Sequence, residues 1–167
     1  MSLDRLWAGW RSRYVSEEAG RQTECFLCAV ATLADPAESE ASLVVERTPT
    51  TIVVMNLYPY GSGHLLVAPR PHVPDLDALD RDIAHDVMDA IGRAARALRE
   101  AYGCDGLNIG FNLGTAAGAG VPDHLHAHVL PRWHGDTNFM TAIAETRVVP
   151  ESLASGWEKV RAAWPVA

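Results

Sequence analysis

The chain has 167 residues, 48% of them hydrophobic, which is the size and composition of one soluble domain with one core. Fourteen Lys plus Arg stand against 21 Asp plus Glu, for a net charge of −7, and no basic cluster offers the footprint of a nucleic-acid binder. No apolar run approaches the roughly 18–20 residues that span a bilayer, and Met1–Arg13 interleaves Asp4, Arg5, Arg11 and Arg13 with Trp7 and Trp10 instead of forming the apolar region of a signal peptide, so the expectation is a cytoplasmic protein with neither nucleic-acid nor membrane partners.

Residues 1–23 read as an arm that packs Leu6, Trp7, Trp10 and Tyr14 onto the body or onto a second subunit. Cys25-Phe26-Leu27-Cys28 has the two-residue spacing of a zinc knuckle, although a redox pair or two buried thiols share that spacing. With Cys104 the chain has three cysteines. An odd count suits a reducing compartment better than a disulfide framework, and Cys104 is expected to be a packed thiol. Residues 34–42 form a polar, Pro-containing loop. Strands are expected at Leu43–Val45, Thr51–Met55 and Leu65–Ala68, with a hairpin turn at Tyr58-Pro59-Tyr60-Gly61-Ser62-Gly63.

A long helix is expected from about Asp80 to Tyr102. Ile83, Val87, Ile91, Ala94, Leu98 and Tyr102 recur at three- and four-residue steps, Asp80 and Asp82 suit the first turn, and Gly103 ends it. His85 and Asp86 fall on its solvated side. Two further strands, Gly106–Asn112 and Leu125–Leu130, flank the small-residue loop of residues 114–120. Trp157 and Trp164, in the C-terminal helical segment 151–167, are expected to pack. The whole reads as an α+β domain on an antiparallel sheet.

His124-Leu125-His126-Ala127-His128 falls in the last strand candidate. Residues two apart in a strand share a face, so the histidines line one face while Leu125, Ala127 and Val129 enter the core. Neutral imidazoles so aligned can act as nucleophile and base. They can also ligate a catalytic metal, but the next acidic partner, Glu145, is distant. The bland alternative is a histidine-rich solvent face. Arg132 can reach a phosphate or pair with an acid, and His134 follows in a loop.

His124-Leu125-His126-Ala127-His128-Val129-Leu130 matches at every position the His-φ-His-φ-His-φ-φ signature of the histidine triad (HIT) family, φ being apolar, and the chain resembles that family. The segment from Asn56 to Pro69 resembles its nucleotide-side hairpin. Pro131 to Met140 is similar to the segment after the triad in bacterial diadenosine polyphosphate phosphorylases and hydrolases. The resemblance covers roughly residues 24–150, leaving 1–23 as an arm and 151–167 as a C-terminal helical segment.

It implies a five-stranded antiparallel sheet with one long central helix and a C-terminal helix, dimerising into a continuous sheet. It also implies cleavage of dinucleoside polyphosphates or nucleotide conjugates, with water or phosphate as acceptor. In this mapping His126 attacks the α-phosphorus and is transiently nucleotidylated, and His128 bonds the phosphate oxygens. Asn56 meets the ribose hydroxyls, while Asn112, Ala119 and Gly120 lie at the phosphates. His64 supports the triad from behind, and Trp133 borders the nucleotide.

In zinc-containing members the two cysteines are joined by the histidine after the hairpin strand and the first of the triad. Those are His72 and His124 here, so Cys25, Cys28, His72 and His124 form a closed structural zinc site. One departure stands out. Where many family hydrolases carry Gln-Ser or Gln-Thr before the triad, this chain reads Ala119-Gly120-Val121-Pro122-Asp123, which leans toward the phosphorylase-like members. A nucleotide-binding signalling or scaffold protein with little turnover is the alternative reading.

Overall fold

The computed structural model describes residues 25–32, 43–136 and 151–165. The expected arm (1–23), the polar loop (34–42) and Thr137–Met140 lie outside these residues. The elements in chain order are α1 (Phe26–Thr32), β1 (Val44–Arg47), β2 (Thr51–Met55), β3 (Leu65–Pro69), α2 (Arg81–Tyr102), β4 (Gly106–Phe111), a 3-10 turn (Thr115–Ala117), β5 (Ala127–Arg132) and α3 (Leu153–Ala162). The five strands form one sheet in the order β1-β2-β3-β5-β4, antiparallel at every junction. This is the expected five-stranded α+β architecture, with α1 added.

Every residue of β2 and β3 is buried, because both faces of the sheet are covered. On one face Val45, Val53, Met55, Leu65, Val67, Ala127 and Val129 pack against α2 and α3. On the other, Leu27 and Ala31 of α1 cover Val44, Ile52, Val54, Leu66 and Ala68. Alternate residues of one strand thus enter two separate cores. α1 is too short to hold itself by local propensity. Its last carbonyls are secured from the sheet, Val30 O by Arg47 Nη2 at 2.8 Å and Ala31 O by Arg70 Nη2 at 3.3 Å.

α2 starts where Asp80 caps it by accepting from Asp82 N–H at 2.9 Å. It stops where Gly103 adopts a left-handed conformation, φ 54°, which glycine enters without a Cβ penalty. Val87, Ala90, Ile91, Ala94, Ala97 and Leu98 form its buried stripe, and the four-residue spacing places them over the sheet. Asp86 does more than face solvent, since its carboxylate accepts from Thr50 Oγ1 at 2.7 Å.

The first strand begins one residue later than expected and runs to Arg47. Leu43 has φ 55°, a left-handed turn that cannot belong to a strand. α3 lies along the outer margin of β1, where Trp157 Nε1 donates to Val44 O and Arg161 Nη1 to Val45 O, both at 2.7 Å. Trp164 Nε1 donates to Glu46 Oε1 at 3.0 Å, and Arg93 grips both oxygens of Glu46 at 2.8 and 2.7 Å. Trp157 and Trp164 therefore pack, as expected. At the opposite margin β4 exposes Asn108, Ile109 and Gly110.

Candidate active site and metal cluster

The triad lies where β5 emerges between β3 and β4. β5 starts at Ala127, two residues later than expected, because the Leu125 N–H is taken by Val73 O at 2.7 Å, outside the ladder. The alternation nonetheless continues through this extended lead-in. Leu125, Ala127 and Val129 are buried apolar residues, while His124 and His126 are buried as well, at 1% and 5% exposure. A solvated histidine face is thereby excluded.

The His126 ring nitrogen Nδ1 donates to the main-chain carbonyl of His124, two residues back, at 2.8 Å. A carbonyl can only accept, so Nδ1 carries the hydrogen and the ring's lone pair lies on Nε2. Burial lowers the His126 pKa, opposed in part by that hydrogen bond. The result is a neutral imidazole with a defined tautomer. His128 sits beside it, ring centroids 5.1 Å apart.

The His128 tautomer is set from the β2–β3 hairpin. Tyr60 N–H donates to His64 Nδ1 at 3.0 Å, and the Asn56 side-chain amide nitrogen lies 3.2 Å from the same atom. A backbone N–H cannot accept, so in neutral His64 the hydrogen is on Nε2, 2.9 Å from Nδ1 of His128. His64 then donates, His128 Nδ1 accepts, and the His128 hydrogen is left on Nε2. Asn112, just past β4, has its amide nitrogen 3.3 Å from that Nε2; two donors cannot pair, so this tautomer requires the amide turned with Oδ1 toward the Nε2–H. Tyr60 also stacks on His128, at 5.6 Å between centroids and 22° between planes. His64 itself is fully buried. It follows Gly63, whose φ of 70° lets the turn close against Tyr102.

Asn56 has both ends of its amide engaged in the hairpin, since Oδ1 accepts from Tyr58 N–H at 3.0 Å. Ala119 N–H donates within its loop to Gly114 O at 3.3 Å, and Gly120 follows it. Trp133 packs edge-on against Tyr102, centroids 6.0 Å apart. Arg132 pairs with Asp136, Nη2 to Oδ1 at 2.7 Å. His134, 95% exposed, donates its backbone N–H to Asp105 Oδ2 at 2.8 Å and sets its ring Nδ1 2.9 Å from the same oxygen; the backbone bond first, then the ring bond, hold the Asp105 pKa below its ordinary value. Cys104 is half-buried, its thiol pointing to Leu98 O at 4.0 Å.

On the far side of His124 lies a second cluster. The ligand atoms of Cys25, Cys28, His72 and His124 all fall within 4.8 Å of one another. His124 Nε2 donates to Pro69 O at 2.8 Å. That fixes its hydrogen and turns the Nδ1 lone pair toward Cys25 Sγ at 3.2 Å and Cys28 Sγ at 3.5 Å. His72 Nδ1 is 3.2 Å from Cys28 Sγ. Zinc bonds of about 2.3 Å to sulfur and about 2.0–2.1 Å to nitrogen in a tetrahedron require sulfur–nitrogen edges of about 3.5 Å. The four residues therefore fit a zinc ion with no large movement. Desolvation lowers the His124 pKa, and His72 and His126 push it the same way, which keeps the ring neutral as a metal ligand must be. Four protein ligands leave no open position, which suits a structural metal.

The structure thus brings together His64, Asn112, His126 and His128 on one side of His124, and the other three metal ligands, Cys25, Cys28 and His72, on the other. The sequence reading missed the Tyr60 N–H, Pro69 O and Val73 O. These are main-chain groups, which any residue supplies, so nothing in the sequence marks them.

The family described as the HIT domain matches residues 37–135. The chain is 37% identical over 154 residues to an AP-4-A phosphorylase of Mycobacterium tuberculosis, covering 90% of this chain and 79% of that protein. It is 33% identical over 95 residues to a bis(5'-nucleosyl)-tetraphosphatase (asymmetrical) of Schizosaccharomyces pombe, covering 57% of this chain and 52% of that one. Among solved structures, a zinc-bound histidine triad family protein from Mycobacterium smegmatis superposes with a TM-score of 0.67 at 30% identity, covering 84% of this chain and 92% of that chain.

Proposed function

The chain belongs to the HIT domain family, and from that premise we propose that it is an enzyme cleaving dinucleoside polyphosphates of the diadenosine tetraphosphate kind, or nucleotide conjugates, through a nucleotidyl-His126 intermediate. One observation carries the reading. His126 is a buried, neutral imidazole whose Nδ1–H is committed to His124 O, so its nucleophilic lone pair is on Nε2 before substrate arrives.

In the first step Nε2 attacks the α-phosphorus, an N–P bond forms, and the bond to the departing phosphate oxygen breaks with its electron pair. His128 faces the reaction with an Nε2–H held in place by His64 and Tyr60. It donates to a phosphate oxygen as charge accumulates there, preorganised stabilisation of the kind that dominates such reactions. In the second step inorganic phosphate or water takes the nucleotidyl group and returns His126 to neutrality. The AP-4-A phosphorylase relative and the lack of a Gln-Ser pair before the triad favour phosphate as acceptor.

Asn56 serves the ribose hydroxyls in this reading, since its amide has a second hydrogen and a second lone pair beyond those used in the hairpin. Asn112, Ala119 and Gly120 lie along the phosphates, and Trp133 borders the nucleotide. Zinc held by Cys25, Cys28, His72 and His124 ties α1 to the triad, in a domain spanning 24–150 with an arm before it and a helical segment after. The exposed margin of β4, with Ile109 in the strand and Leu113 just past it, supports a homodimer joined into one sheet.

The test is incubation with diadenosine tetraphosphate, with and without inorganic phosphate, followed by product separation. ADP plus ATP formed only with phosphate indicates phosphorolysis, and AMP plus ATP indicates hydrolysis. Binding without cleavage of this substrate or of a nucleoside phosphoramidate would refute the catalytic reading in favour of a signalling or scaffold role. Retained turnover in His126→Ala would refute the nucleophile.

A further inference from the structure

The metal cluster has two unlike ends. Its sulfur end is accessible: Cys25 and Cys28 are half-buried and His72 is exposed. Its other end is His124, 1% exposed, whose ring faces the sulfurs and whose carbonyl holds the His126 Nδ1–H at 2.8 Å. One residue therefore touches both centres. Cys25 is the residue before α1 and Cys28 lies in its first turn, three positions apart, where side chains share one helix face. Their sulfurs are within 4.8 Å of each other, so a bond between them needs only side-chain rotation and small backbone adjustment.

We propose that Cys25 and Cys28 are a thiol-oxidation site through which a small disulfide oxidant releases the metal and disables the nucleophile. Two zinc-bound thiolates react in turn. Cys28 attacks one sulfur of the oxidant, the oxidant's S–S bond breaks, and one small thiolate leaves. Cys25 then attacks the Cys28 sulfur of the mixed disulfide, the Cys25–Cys28 bond forms, and the second small thiolate leaves. The protein sulfurs lose two electrons and the oxidant gains two. Zinc departs as the divalent ion, and the released thiolates take protons from water.

His124 is then left with a buried Nδ1 lacking its partner, a costly state that the surrounding chain relaxes to relieve. The shift of His124 strains Val121–His126, since its own N–H is bonded to Val121 O and that of Leu125 to Val73 O in the same stretch. The carbonyl that fixes the His126 tautomer moves with it. The link to catalysis rests on His126 being the nucleophile; the thiol chemistry does not.

The experiment treats the zinc-loaded full chain with excess oxidised glutathione. A chromogenic chelator reads zinc, mass spectrometry of peptides reads the Cys25–Cys28 bond, and the imidazole NMR signals of His126 read its tautomer. The expected result is one zinc released per Cys25–Cys28 disulfide, a shifted His126 signal, and at least a tenfold loss of nucleotidyl transfer, restored by reductant plus zinc. The variant Cys28→His cannot form the bond, so, each protein measured against its own reduced state, the oxidant should release a much smaller fraction of its zinc than of the parent's and leave no Cys25–Cys28 disulfide.

Zinc retained, or a disulfide through Cys104 in place of Cys25–Cys28, overturns the oxidation site. Zinc release with an unmoved His126 signal and unchanged transfer overturns the coupling. If the reduced, zinc-loaded protein transfers nothing, the functional reading has failed, and zinc release with the His126 signal still decides the switch. If Cys28→His does not fold, the wild-type stoichiometry and reversal decide it.

Discussion

Gly63→Ala tests whether the hairpin that orders the triad is held by close packing. At φ 70° an alanine is strained, and its Cβ would lie 2.6 Å from Tyr102 Cε2, 3.0 Å from Cζ and 3.1 Å from Leu98 Cδ2. The Tyr102 ring cannot swing away cheaply. Its hydroxyl donates to Glu151 at 2.6 Å, Trp133 abuts its edge, and Lys159 lies over its face. The left-handed conformation costs about 1–2 kcal/mol and overpacking about 1–3 kcal/mol, so the expected loss is about 2–5 kcal/mol. For a chain of this length that lowers Tm by roughly 2–4 °C per kcal/mol.

Urea and thermal unfolding of the purified variant measure the loss. Because His64 is the next residue, its bond to His128 shifts too, and kcat should fall more than KM rises. In the Gly63→Ala/Tyr102→Leu double variant the overpacking part is relieved and the backbone part remains, so the two changes should couple by about 1–3 kcal/mol, in the range found for touching residues. A Gly63→Ala loss below about 1 kcal/mol, or strict additivity with Tyr102→Leu, would refute the reasoning.

Three further outcomes follow. Burial lowers the His126 pKa below the ordinary histidine value of 6.5, so nucleotidyl transfer should hold level as pH falls through that value and drop only below it; loss centred at 6.5 would show an ordinary, solvated ring. By the same sign, the unfolded chain takes up a proton there first, so this group's contribution to stability is full above 6.5 and is lost as pH falls through the lowered folded value. His72→Ala removes one metal ligand, and its Tm should be indifferent to a chelator that destabilises the zinc-loaded parent; with zinc at a thousandfold over Kd the stabilisation removed is about 4 kcal/mol, and equal chelator sensitivity in both would exclude His72. Glu46→Ala strands Arg93 and the Trp164 N–H, both half-buried, and should cost about 1–3 kcal/mol in urea unfolding, with Glu46→Gln recovering part of it.

The long helix was legible to within one residue because two independent signals agree. A strict apolar stripe sets its body, and Asp80 and Gly103 set its ends. Of the metal ligands, Cys25 and Cys28 were legible from residue type and two-residue spacing, whereas His72 and His124 were picked out only through the family resemblance. α1 was not anticipated: seven residues span too few turns for periodicity to register, and its stability comes from Arg47 and Arg70, distant in sequence. The division of labour inside the triad was visible only by resemblance. What separates the three rings physically is the Pro69 carbonyl, the His124 carbonyl and the Tyr60 N–H, and none of these has a residue-type signature.

The Trp157 and Arg161 bonds to the β1 carbonyls reach further than the packing of α3. An unpaired strand margin is a template for open-ended growth. Here one margin is stopped by side chains, so among the described residues the open margin of the sheet is β4. Two copies meeting through β4 would present only stopped margins, and the assembly terminates at a twofold pair instead of running on as a fibre. In a pair joined through β4, α3 would act as a chain terminator, and its removal would turn a self-limiting pair into an aggregating one.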